Sequence, residues 1–287
     1  MSLSANFAAA APRPWAATLL SNARITSKKS PEDVRRLRFA IVETGFDALI
    51  GQSLWVRAPG QFGQRFHERL YSIADLEYSD DRDFAFFELL VRRCHVIDAF
   101  NGERYDGVAS NYLCDLPLGG HIEFTGPVGH PFPIPADHGA GMLMIGMGTG
   151  IAPFRGLVRR IYDELGGWDG PVRLFYGARS GLEMLYQNDE NDDLGLYYDK
   201  PTFQAFADVS PRPHFNEPPA LDRALIEHAA EVWSMLQYGD AHLFVAGPAT
   251  LMPLVDTGLA QVAGSDQTWA AMRARLQAEN RWHEILY

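Results

Sequence analysis

The sequence predicts a two-domain protein, an antiparallel β-barrel over residues 1–138 followed by an α/β domain with a parallel sheet over 139–287. Three observations support this. The 287 residues are enough for two ordinary domains. The first half holds short β-branched or alternating runs separated by turn residues, the pattern of a small barrel. From Gly141 onward strand-like runs alternate with helical ones, which implies a parallel sheet with helices on both faces.

The barrel runs are Thr18–Thr26, Leu37–Val42, Ser53–Ala58, Arg69–Ala74, Phe84–Val91 and His121–Thr125. Ala58-Pro59-Gly60 and Asn101-Gly102 mark turns. Residues 106–116 interrupt the β pattern, with Gly107-Val108-Ala109-Ser110-Asn111 opening a short helix. Residues 1–16 are small and apolar, without the basic n-region or long apolar core of a signal peptide, and read as a disordered arm. A proline-rich connector, Gly126 to Pro135, ends this half.

The second half starts with an apolar run, Gly141–Ile145, that reads as a buried strand and leads into GMGTGIAPFRG at 146–156. Pro153 falls where a first helical turn tolerates a missing N–H. Leu157, Val158, Ile161 and Leu165 follow at helical spacing. Strand, glycine turn and helix let the backbone approach a pyrophosphate, with the helix N-terminus facing it. Alone, the same pattern is a tight turn of any α/β protein. The strands Val172–Tyr176, Phe203–Val209 and His242–Ala246 alternate with helices over Ala152–Leu165, Leu221–Leu236 and Thr250–Ala263. Trp269, Met272 and Leu276, then Trp282 and Ile285, predict a packed helix and an apolar extended end that carries Tyr287 into a buried place.

Composition narrows the function. The chain is 47% hydrophobic, enough for a sizeable core, yet has no apolar run near the length of a helical membrane span. Its two cysteines, Cys94 and Cys114, form no CxxC pair, which argues against a disulfide framework, zinc or an iron–sulfur centre. They read as two buried, reduced thiols of a cytoplasmic protein. A net charge of −11 argues against nucleic acid. The barrel half is the less acidic, with basic clusters at Lys28-Lys29, Arg35-Arg36-Arg38 and Arg92-Arg93; of these, Arg35, Arg36, Arg38, Arg92 and Arg93 are a candidate face for an acidic protein partner.

Two further constellations carry chemistry. Arg69-Leu70-Tyr71-Ser72 offers a phosphate clamp, a stacking ring and a hydroxyl along one strand. Gly107 to Asn111 offers a helix start able to bind an anion, with Ser110 adding a donor. Together with GQSLWV, TGPVG, GTGIAPFR and the tyrosine after Trp282, these segments resemble the plant-type ferredoxin–NADP reductase family over nearly the whole chain.

The resemblance implies a barrel that binds FAD and a Rossmann-like domain that binds NADP(H). Arg69, Leu70, Tyr71, Ser72, Val91, Gly107, Val108, Ala109, Ser110, Thr149 and Tyr287 would hold FAD, with Ser72 near the reacting nitrogen and Tyr287 opposite Tyr71. Gly148, Thr149, Gly150, Pro153, Arg179, Ser210, Arg212 and Gly247 would face the nicotinamide nucleotide. The chain departs from the family at Ala246, where a cysteine is usual, and at Ile285, where an acid is usual, with Glu284 one step earlier. Val96 takes the place of an adenine-stacking aromatic. Ser210 and Arg212 remain for a 2′-phosphate, but the family's lysine is missing and Ala220 stands in its tyrosine position. No acid stands at the end of the second strand, Tyr176-Gly177-Ala178-Arg179, so NADP(H) is expected with weakened discrimination against NAD(H). The implied activity is electron exchange between NADP(H) and a ferredoxin or flavodoxin. Alternatives are the reductase component of a multi-component oxygenase, or a flavin-binding regulatory module without turnover.

Overall fold

In a computed structural model, residues 14–42, 45–188, 191–212 and 218–287 are described. The expected arm at 1–16 lies almost wholly outside them. The six predicted barrel strands are present as β1 (Trp15–Arg24), β2 (Val34–Ile41), β3 (Ser53–Pro59), β4 (Phe66–Tyr78), β5 (Ala85–Arg92) and β8 (His121–Val128). They close in the order β1-β2-β5-β4-β3-β8, so no sheet edge is left open. Alternate residues such as Leu37, Phe39 and Ile41 of β2 and Phe87, Leu89 and Val91 of β5 point inward and fill the barrel. A small hairpin, β6 (His95–Ile97) with β7 (Arg104–Asp106), leaves the barrel just before helix α1 (Val108–Asp115). Sequence patterning missed it because both strands are three residues long and fully exposed, with no apolar alternation to read.

The second half is a five-stranded sheet, β11-β10-β9-β12-β13, parallel throughout. Its strands are β9 (Met142–Met147), β10 (Val172–Ala178), β11 (Phe203–Val209), β12 (His242–Gly247) and β13 (Trp282–Leu286). Met144, Leu174 and Phe244 face α2 (Ile151–Arg159), which continues as a π turn over Arg160–Glu164. Leu143, Phe175 and Val245 face the other side, covered by α3 (Leu221–Glu227), α4 (Ala229–Tyr238), α5 (Leu251–Ala263) and α6 (Asp266–Ala278). The single helix expected over Leu221–Leu236 is therefore two, broken at His228, whose ring packs on Phe206 with centroids 3.9 Å apart. The extended end is a true edge strand, paired residue by residue with β12 from Leu243–Trp282 to Gly247–Leu286.

The two halves meet along α2 and β4. A Cβ on Gly156 of α2 would lie 2.3 Å from the carbonyl oxygen of Ala74, so only glycine permits this approach. Beside it the carboxylate of Asp75, with 7% of its side chain exposed, accepts from Arg159 Nη2 at 2.7 Å, Arg159 Nε at 2.9 Å and Arg155 Nη1 at 3.1 Å. Arg155 also reaches Glu88 at 3.3 Å and Asp193 at 2.9 Å. This ionic seam, with Asp75 buried at its centre, joins the sheet domain to the barrel.

Candidate functional site

The glycine turn stands where the chain's wiring opens a crevice. From the central strand β9, the sheet grows toward β10 on one side and toward β12 on the other, and ligands bind such sheets at that reversal. Residues Gly148–Gly150 form a 3₁₀ turn leading directly into α2. Tyr176, wholly buried on β10, donates its hydroxyl to the Gly148 carbonyl at 3.0 Å and pins the turn. A Cβ on Gly150 would come within 2.0 Å of the Ala246 carbonyl oxygen, so this position admits no side chain.

A cleft of about 360 Å³ runs between the barrel and this turn. Its barrel wall carries Leu70, Tyr71, Ser72, Arg92, Cys94 and Ser110. Its sheet wall carries Thr149, Gly150, Pro153, Ala246, Ile285 and Tyr287. Tyr71 is half-buried against the barrel core, and burial pushes its phenol pKa up, so it stays a neutral stacking surface. Ser72 shares a hydrogen bond of 3.2 Å with Ser53, its cross-strand neighbour on β3. Tyr287 is tied to the sheet through its N–H to Gly247 at 3.1 Å and its carbonyl to Ala249 at 2.9 Å. Its hydroxyl lies 2.6 Å from Thr149 Oγ1. The residue as a whole is 60% exposed and stands in the cleft wall, while burial of its phenol pushes the pKa up.

At one end of this cleft, α1 begins without a side-chain cap and without an acid in its first turn. Ser110 accepts from the Cys94 N–H at 3.1 Å, and the Gly107 N–H donates to the Cys94 carbonyl at 2.9 Å. A Cβ on Gly107 would press to 2.9 Å from Ser110 Oγ. An uncapped helix start presented by small residues suits an anion, and the tyrosine-lined cleft beside it suits a planar ring. The donor set therefore fits FAD.

Other expected residues fall differently. Val91 turns its side chain into the barrel core, leaving only main chain for a ligand. Arg69 is exposed and donates to the Glu68 carbonyl at 3.0 Å, outside the cleft lining. Pro153 lines the cleft of Tyr71, not the second cleft. Ile285 faces the cleft from β13 while Glu284, one step along the strand, bonds Trp282 Nε1 at 2.9 Å on the other face. Cys114 is buried, which pushes its thiol up to about 12. Cys94 is not: it is exposed in the cleft, where its thiol donates to the Arg92 carbonyl at 3.3 Å while α1's start engages its main chain. Sequence reasoning missed Arg92, Cys94, Ser53 and Tyr176 as site residues; only the GQSLWV motif held a signal, for Ser53.

A second cleft, of about 290 Å³, continues past Tyr287 and Thr149. Gly148, Ala178, Arg179, Glu183, Pro219 and Pro248 line its sheet side, and Glu32, Val34 and Arg92 its barrel side. Ser210, at the end of β11, is 4% exposed, and its hydroxyl has no hydrogen-bond partner among the described residues. Arg212 beside it is exposed, and residues 213–217 lie outside the described ones. The arginines expected to form a basic face are all ion-paired: Arg35 and Arg93 with Asp33, Arg36 with Asp193, Arg38 with Glu77 and Arg92 with Glu32. Among the described residues, no helix is long and apolar enough to cross a membrane.

Comparison with known proteins agrees with this geometry. Residues 22–132 match the oxidoreductase FAD-binding domain and residues 144–257 the oxidoreductase NAD-binding domain. Ferredoxin–NADP reductases of Picosynechococcus sp. and Spirulina sp. are each 31% identical across 96% of this chain, which spans 70% and 95% of their lengths. That of Cyanophora paradoxa is 30% identical, with 77% of its length spanned. The fold is shared with the ferredoxin–NADP⁺ reductase of Plasmodium falciparum bound to 2′P-AMP, at a TM-score of 0.70, 17% identity and 96% coverage of both chains.

Proposed function

The chain belongs to the ferredoxin–NADP reductase family, and on that premise we propose that it is an FAD-dependent oxidoreductase exchanging electrons between NADP(H) and a ferredoxin- or flavodoxin-type carrier. The observation that carries this is the cleft in which Tyr71 and Ser72 of the barrel meet Thr149, Gly150 and Tyr287 of the sheet. FAD, when bound, accepts hydride from a nicotinamide and releases electrons singly to such a carrier. Gly107 to Ser110 would hold the pyrophosphate, Tyr71 would support the ring, and Ser72, oriented by Ser53, would hydrogen-bond at its reacting edge. Tyr287, held by Thr149, guards the place a nicotinamide must take. Among the described residues no Asp, Glu or His side chain lines this cleft, so Ser72 works there without the acidic side chain usual at Ile285.

For the coenzyme, we propose recognition of a 2′-phosphate by Ser210 and Arg212, supported by the buried Ser210 hydroxyl, which has no hydrogen-bond partner among the described residues. With the family's lysine and tyrosine gone, preference for NADPH is modest, NAD(H) is used as well, and Arg212→Ala nearly erases the difference in kcat/KM. Two unpaired thiols fit a reducing, cytoplasm-like compartment. The test is anaerobic. Purified protein should be yellow or take up added FAD, lose its visible absorbance on titration with NADPH, and reduce a ferredoxin. Protein that takes up no FAD, or whose absorbance neither NADPH nor NADH bleaches, refutes the proposal.

A further inference from the structure

The second cleft is not the cationic funnel that a dinucleotide's phosphates call for. Its charged lining is Glu32, Arg92, Arg179 and Glu183, two of each sign. Arg179 donates to Glu183 Oε1 at 2.7 and 3.1 Å and reaches across the domain gap to Glu32 at 3.5 Å. Arg92 stands 4.0 Å from the other oxygen of Glu32. Both guanidinium groups thus already face carboxylates. Glu32 is the shared one, and it comes from the barrel rather than from the nucleotide domain.

Its placement is built into the loop between β1 and β2. The Glu32 carbonyl accepts from Thr26 Oγ1 at 2.8 Å and from Arg24 Nη2 at 2.9 Å, while its N–H donates to Ser30 Oγ at 3.1 Å. Thr26 and Ser30 are themselves buried. The main chain on both sides of the residue is therefore fixed, and the side chain, 25% exposed, is presented to the opposite domain. A loose surface glutamate would show none of this.

We propose that Glu32 is an internal competitor for the coenzyme's phosphates: it occupies Arg179 and Arg92, and a bound nucleotide must displace it from them. This rests on reading the second cleft as the nucleotide site. The carboxylate lowers affinity for every phosphate-bearing ligand alike, so it sets the coenzyme's dissociation constant without choosing between NADP(H) and NAD(H). It also lets the nucleotide loosen one strap between barrel and sheet.

The experiment is calorimetric titration of FAD-loaded protein with NADP⁺ and with inorganic pyrophosphate, at low and at physiological salt. Glu32→Gln should tighten both by about two- to fivefold, the scale of one exposed ion pair, and steepen the salt dependence. Glu32→Asp, which withdraws the carboxylate but keeps its charge, should shift both the same way by less and serves if the glutamine variant folds poorly. The gain should shrink when Arg179→Gln is added, because Glu32 then holds only Arg92 for a ligand to release. Unchanged or weaker binding by both Glu32 variants, or a gain that removal of Arg179 does not reduce, overturns the inference while leaving the cleft's assignment intact. Wild-type protein that binds neither NADP⁺ nor NAD⁺ overturns that assignment as well.

Discussion

Asp75→Asn tests the seam between the domains. The carboxylate is buried and takes three hydrogen bonds from two arginines of α2, plus the N–H of Leu76 at 2.9 Å. The amide keeps the shape but loses the charge and turns donor protons toward guanidinium groups. Stripping a buried charge of its sole partner costs roughly 3–5 kcal/mol. Here the loss is smaller, because Arg155 keeps Glu88 and Asp193, and Arg159 keeps Glu77 at 3.5 Å and Glu164 at 3.0 Å. About 2–3 kcal/mol is therefore expected. Urea denaturation, followed in parallel by circular dichroism and flavin fluorescence, measures it. Arg160→Gln, which removes an exposed pair with Glu164 at 3.8 Å, is the control and should cost under about 0.5 kcal/mol. If Asp75→Asn costs no more than that control, the seam contributes nothing and something else sets the domain orientation.

Three further outcomes follow from single contacts. Gly150→Ala sets a methyl against the Ala246 carbonyl, so it should destabilise the fold by about 1–3 kcal/mol and raise the Kd for NADP⁺ more than tenfold, read by calorimetry. Tyr287→Ser removes the ring and its bond to Thr149, so NADP⁺ should bind more tightly and the NADH-to-NADPH ratio of kcat/KM should rise; an unchanged ratio would place the ring away from the nicotinamide. Burial, then the charge of His242 at 3.1 Å, lowers the His283 pKa to about 4 from 6.5. The unfolded chain thus takes up this proton first, so the stability is complete above about pH 6.5 and fades as pH falls toward 4. After allowance for solvent screening the loss is about 1–2 kcal/mol, and thermal melts of His283→Phe should show a shallower decline over that range.

Strands with apolar alternation were legible in the sequence because one face of each must be buried: Leu37, Phe39 and Ile41 announce the barrel interior as plainly as any motif. The glycine turn was legible for a related reason, since Gly150 has no room for a side chain. The hairpin at His95–Ile97 was not, having no buried face at all. Nor could a one-dimensional pattern place Arg92 between two clefts, or show that Arg36, Arg38 and Arg93 face carboxylates distant in sequence, Asp193, Glu77 and Asp33. Charge runs read as a face only until their partners are known.

β13 has a consequence beyond holding Tyr287. It is a short outer strand with a charge at Glu284, and it covers the flank of β12, whose residues from Leu243 to Gly247 are all buried. Without it that apolar strand would present a row of unpaired N–H and C=O groups, a template on which a second chain can add itself. Proteolytic trimming here would therefore do more than blunt turnover. It would open the flank of β12 to pairing with further copies, and that association would grow with protein concentration.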